Sequence, residues 1–169
     1  MTLSEILDQA KGAKERSALL FNSLKNHRGQ EKEWNLILPK VKPVRKAALL
    51  EAVEYLTKEN PERGFPFLDG TIHCLDDKAP GVLREAGRVI ANVAPAWPEA
   101  CAKAVPLLLN YTKHEGTVVR WATAFALSQI ALNHPVSAKK LIPVFNQLVI
   151  EEENKGVKNH YLKGLGRKS

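Results

Sequence analysis

One helical pattern returns along this chain at a nearly constant interval, and that interval restricts the fold more than any other feature. In its clearest copy Val119, Thr123, Leu127 and Ile130 fall at places 0, +4, +8 and +11. Those places share one face of a 3.6-residue helix. Val82, Ala86, Ile90 and Val93 repeat it, as do Val44, Ala48, Ala52 and Tyr55, and Val157, Tyr161 and Leu165 give a shorter copy. The intervals are 82−44 = 38, 119−82 = 37 and 157−119 = 38. One helix pair cannot bury its apolar face alone, whereas stacked neighbours share a continuous core. The expected fold is all-α, a single-domain α-solenoid of about four to five stacked antiparallel helix pairs.

Turn signals divide the chain at the same interval. Pro43 suits the first turn of a helix running to about residue 58. Helices are expected over about 66–75 and 81–94, then 99–113 and 117–133, then 137–152 and a short one ending near 165. Loops fall at 60–64, 76–80, 95–98, 114–116, 134–135 and 154–156. Thr117 is a candidate N-cap, and so is Ser4 at the start of the chain. Residues 1–29 read as an N-terminal helical cap, 30–165 as the repeats and 166–169 as a frayed tail.

These residues resemble the HEAT-repeat family of α-solenoids. Second helices of that family often open with Val-Arg, as at Val119-Arg120 and Val44-Arg45, with Val157-Lys158 a conservative variant. The unit at Val82 departs, because Leu83 stands in the arginine place. Pro106 and Pro143 resemble the proline common in the family's first helices. The resemblance implies that Arg45, Arg120 and Lys158 bond turn acids of their own or an adjacent repeat. It also implies that second helices line a concave surface.

Composition narrows the function classes. The net charge of +7 is uneven: residues 1–46 hold ten Lys/Arg against five acids (+5), 47–134 eight against ten (−2), and 135–169 seven against three (+4). Basic ends over a near-neutral middle suit an acidic partner or nucleic acid. No apolar run reaches the roughly 20 residues that span a bilayer, and the acidic N-terminus does not read as a secretory leader. Cys74 and Cys101 lie within apolar helical patterns without metal-ligand spacing, which favours buried reduced thiols and a cytoplasmic location. The five histidines show neither ligand spacing nor a nucleophile partner, and no glycine loop cradles phosphate. No metal, cofactor or catalytic residue is expected.

The binding surface follows from helix phase. Places +2 and +6 lie about 200° and 240° around the helix from place 0, away from the core face. They hold Lys46 and Leu50, Arg84 and Arg88, Trp121 and Phe125, then Asn159 and Lys163. Arginine and aromatic residues are enriched at interface hot spots. The expected function is a non-catalytic interaction module gripping a protein or peptide through Arg84, Arg88, Trp121, Phe125, Lys46 and Lys163, with Arg84 opposite Trp121 and Arg88 opposite Phe125. The alternative is a nucleic-acid-binding protein similar to the HEAT-like alkylpurine DNA glycosylases. Those carry a basic channel with a catalytic aspartate, and no acid occupies the +2 or +6 places derived above.

Overall fold

A computed structural model describes residues 1–167; Lys168 and Ser169, the end of the expected tail, lie outside the described residues. The chain alternates between two rows of helices. One row holds α1 (Leu3–Gln9), α3 (Glu31–Ile37), α5 (Phe65–His73), the pair α7 (Pro98–Ala102) and α8 (Val105–Leu108), and α10 (Pro135–Glu151). The other, the inner row, holds α2 (Ala13–Asn26), α4 (Pro43–Glu59), α6 (Pro80–Val93), α9 (Thr117–Asn133) and α11 (Lys155–Gly164), each packed on the next. Four helix pairs thus span residues 31–164, preceded by a short pair from α1 and α2. No strand occurs among the described residues.

Local chemistry explains where the helices start. The N-cap of α1 is Thr2 rather than Ser4: Glu5 N–H donates to Thr2 Oγ1 (3.1 Å) and Thr2 N–H donates to Glu5 Oε2 (2.7 Å). Ser4 sits in the first turn, where its N–H and that of Leu3 each donate to the Glu33 carboxylate at 3.0 Å. That carboxylate lies where the helix dipole is positive. Gly116, not Thr117, is the N-cap of α9. The helix expected over 99–113 is broken into α7, α8 and a 3₁₀ turn at Leu109–Tyr111. Pro106 has no N–H to donate to the Ala102 carbonyl four residues back, so α7 stops at Ala102 and α8 opens with the proline in its first turn.

The core runs the length of the inner row. Val82, Ala86, Ile90, Val93, Val119, Leu127, Ile130, Val157 and Tyr161 are buried as the apolar pattern requires. Each fully buried aliphatic side chain contributes about 1.5–3 kcal/mol. At Gly87 a Cβ would meet the Ala122 Cβ and carbonyl oxygen at 3.0 Å, so glycine lets α6 and α9 approach closely.

In α4 the phase differs from expectation by one residue. Val44 is 72% exposed, whereas Leu49, Leu50 and Val53 are fully buried and Leu56 nearly so. Place 0 of α4 is therefore Arg45, with Leu49, Val53 and Leu56 at +4, +8 and +11. Pro43 at the first turn leaves Val44 on the solvent side, and one residue is a 100° rotation. The interval then becomes 82−45 = 37.

This shift moves Lys46 off the open face and into place +1, which Arg120 holds in α9. Both cations reach a turn acid of the following pair. Lys46 Nζ lies 3.1 Å from Asp77 Oδ2, and Arg120 Nε donates to Glu152 Oε2 at 3.1 Å. Each acid also accepts the backbone N–H two residues on, Ala79 for Asp77 (2.8 Å) and Asn154 for Glu152 (3.1 Å). Between them, Leu83 takes the cation place and His114 the acid place, with Gly116 N–H donating to His114 Nδ1 at 2.9 Å. Arg45, implied as a turn-acid partner, instead reaches Asp8 of α1 (2.7 Å).

Candidate interaction surface

On α4 the face of the inner row turned away from the core carries Ala47, Glu51 and Tyr55, not Lys46 and Leu50. Lys46 is engaged by Asp77 and Leu50 is fully buried. Tyr55 is 39% exposed; its hydroxyl donates to Glu51 Oε1 (3.1 Å) and its ring meets Phe21 of α2 edge-on at 5.8 Å. Lys14, Phe21, Glu51 and Tyr55 line a cleft of about 510 Å³ between α2 and α4. Glu51 holds place +6 in the corrected phase, so the inner row does carry an acid where none was expected.

On α6 the side chains of Arg84 and Arg88 are partly exposed, 41% and 29%. Both are held from behind by acids of the protein. Arg84 Nε donates to Glu85 Oε1 at 3.0 Å, while Arg88 places Nη2 at 3.2 Å from Glu54 Oε1 and Nη1 at 3.6 Å from Glu85 Oε1. Glu54 and Glu85 are buried, at 2% and 1% exposure. Burial pushes the Glu85 carboxyl above its ordinary range, against the pull of Arg88 and Arg84. The two arginines thus lie as a lid over buried carboxylates. Sequence reasoning missed both acids, because a helical Glu ordinarily reads as a solvated residue.

On α9, Trp121 and Phe125 are half-buried with ring centroids 5.4 Å apart. His160 of α11 closes the group, edge-on to Trp121 at 4.6 Å and stacked on Phe125 at 4.9 Å. Burial, with Lys163 nearby, lowers the His160 pKa to about 4, so the ring is neutral at physiological pH. His160 was also missed, and the signal lay in the register. Close approaches between neighbouring inner helices run at an offset of 35: Gly87 meets Ala122, Asn92 Nδ2 meets Thr57 Oγ1, and Phe125 meets His160.

That register revises the expected pairing of Arg84 with Trp121 and Arg88 with Phe125, which rested on an offset of 37. Arg88 reaches back to Glu54 of α4, and the two aromatics turn forward to α11. The open face therefore presents two clusters in sequence, a guanidinium pair on α6 and an aromatic trio on α9 and α11. Lys163 is exposed one turn beyond the trio.

No family model matches the sequence, and no curated protein matches it. Solved structures do. A designed armadillo repeat protein in complex with the peptide (KR)4 superposes with a TM-score of 0.71, at 14% identity over 96% of this chain and 80% of that one. A second designed armadillo repeat protein gives 0.72, at 17% identity over 97% and 79%. An engineered protein gives 0.74, at 17% identity over 99% of this chain and 47% of that one. The fold is an armadillo-type helical repeat solenoid. At such identities the likeness carries the architecture of the solenoid and nothing of its ligands. No helix of this solenoid is long and apolar enough to cross a membrane, among the described residues.

Proposed function

We propose that this chain is a non-catalytic binding module of HEAT-like repeats, holding a protein or peptide partner along the concave face lined by its inner row. The observation that carries the reading is the group Trp121, Phe125 and His160, three rings clustered and half-buried on the open face of the inner row. Such a group offers apolar area with little side-chain entropy to lose on binding. A designed solenoid of similar architecture is solved with a peptide, so the architecture is compatible with such a partner. The buried thiols Cys74 and Cys101, raised by burial to about 11 and about 12, suit the reducing cytoplasm in which we place the protein. Affinity capture with the wild type, Trp121→Ala and Trp97→Ala tests the reading, with circular dichroism to confirm the fold. Trp121→Ala should weaken a captured partner by more than about 1 kcal/mol. Loss with Trp97→Ala alone, on the opposite edge of the pairs, removes the concave face from consideration.

One observation keeps a second reading in view. Glu51 stands on the inner row beside Tyr55, which restores the acid that a glycosylase-like nucleic-acid enzyme needs. Release of a modified base from duplex DNA, abolished by Glu51→Gln, would favour that reading over the first.

A further inference from the structure

We infer that the concave face takes an acidic peptide bearing one apolar side chain, a ligand opposite in charge to the (KR)4 peptide of the similar designed solenoid. This rests on the inner row being the binding face. Guanidinium groups only donate. Glu54 and Glu85, the acids that a basic ligand would seek on α6, are buried and already engaged by Arg88 and Arg84. Within the described residues no hydrogen bond uses Arg84 Nη1 or Nη2. A ligand's lysine or arginine approaching α6 therefore meets cations in front of the acids. A ligand's carboxylate meets donors whose orientation was fixed when the protein folded, so less freedom is lost on binding.

The neighbouring cluster supplies the second half of the motif. Trp121, Phe125 and His160 offer an apolar seat with a neutral ring behind it, and Lys163 adds an exposed cation past that seat. Packed helices lie about 8–10 Å apart, and an extended chain advances about 3.3 Å per residue. An acid over α6 and an apolar side chain over α9 then stand two or three residues apart in the peptide. On the other side, Glu51 on α4 opposes further acids and sets the limit of the acidic segment.

The test uses the full chain and two labelled octapeptides, one alternating Asp and Glu around a central Leu, the other (KR)4. Fluorescence anisotropy gives affinity, and the Trp121 indole N–H signal, assigned with Trp121→Phe, reports the location. The acidic peptide should bind more tightly and shift that signal. Arg84→Gln, which leaves Arg88 on Glu85, should weaken it about tenfold, and Lys163→Glu, an exposed change that leaves the fold untouched, severalfold. Should (KR)4 bind more tightly and shift Trp121, the charge assignment is wrong while the concave face stands. Should neither peptide move the Trp121 signal, both the assignment and the binding face fall. Acidic-peptide binding indifferent to Arg84→Gln and Lys163→Glu overturns the assignment as attraction to the basic ends.

Discussion

The three joints between the four helix pairs of residues 31–164 fall into two kinds. At two of them a cation on one inner helix reaches a turn acid of the next pair, Lys46 to Asp77 and Arg120 to Glu152. At the joint between these, a buried leucine and a histidine hold the same places. The separations agree: 77−46 = 31, 114−83 = 31 and 152−120 = 32. All three turn residues accept the backbone N–H two residues on. Closing its own turn is thus the constant task of that position. The cation accompanies the acceptor only where the acceptor is an anion. Where the turn residue is an imidazole, aliphatic burial holds the joint instead.

Each kind of joint can be broken separately. Leu83→Ala should cost most, about 2–5 kcal/mol in urea unfolding, since Leu83 is only 3% exposed. A loss under about 0.5 kcal/mol would show that burial does not hold this joint. Arg120→Met comes next, at about 2–3 kcal/mol. It strips Glu152 of its partner and frees the His114 and Glu115 carbonyls that Arg120 Nη1 also serves.

Asp77→Asn should cost about 1 kcal/mol at neutral pH. Burial works to raise the Asp77 pKa, but the Ala79 N–H and Lys46 outweigh it and hold the carboxyl below its ordinary value. A depressed folded-state pKa stabilises above the unfolded pKa and loses that contribution as pH falls through the folded value. The gap between Asp77→Asn and wild type should therefore be full above about pH 4 and close below it. A gap that is constant with pH would remove the ion pair from the account.

The smallest effect sharpens the comparison. Leu83→Lys with His114→Asp rebuilds the charged joint at the leucine position. Each single change should destabilise, and the pair should recover about 0.5–1 kcal/mol relative to their sum in a double-mutant cycle. Strict additivity would mean that the two places do not meet.

The solenoid was legible because its evidence is periodic. A repeat of 37 or 38 residues with turn signals between helices leaves little choice of architecture, and the helix pairs lie where the pattern put them. The phase of α4 was not legible from its opening dipeptide. Val44-Arg45 matches the familial start, but the aliphatic run Leu49, Leu50, Val53 and Leu56 overrules it, since burial of large side chains outweighs a match at an exposed first turn. That one rotation misplaced Lys46 and Leu50 and hid Glu51 and Tyr55. Arg84, Arg88, Trp121 and Phe125 lie on the outward side of α6 and α9 as expected, because the phase of those two helices was right. Of their true neighbours, Glu54 and His160 depend on the register between helices, which the repeat length alone does not fix, whereas Glu85 lies on α6 itself.

The charged and uncharged joints also limit how such a chain can grow or shrink. Every pair between the ends contributes one half of the joint before it and one half of the joint after it. Deleting α5 and α6 as a unit would bring Lys46 against His114, a cation facing an imidazole where its own joint supplies a carboxylate. Deleting the two units from α5 through α9 would bring Lys46 against Glu152, a matched pair. Lengthening by copying obeys the same arithmetic. The joints work as a key, and whole units are interchangeable in twos where they are not interchangeable singly.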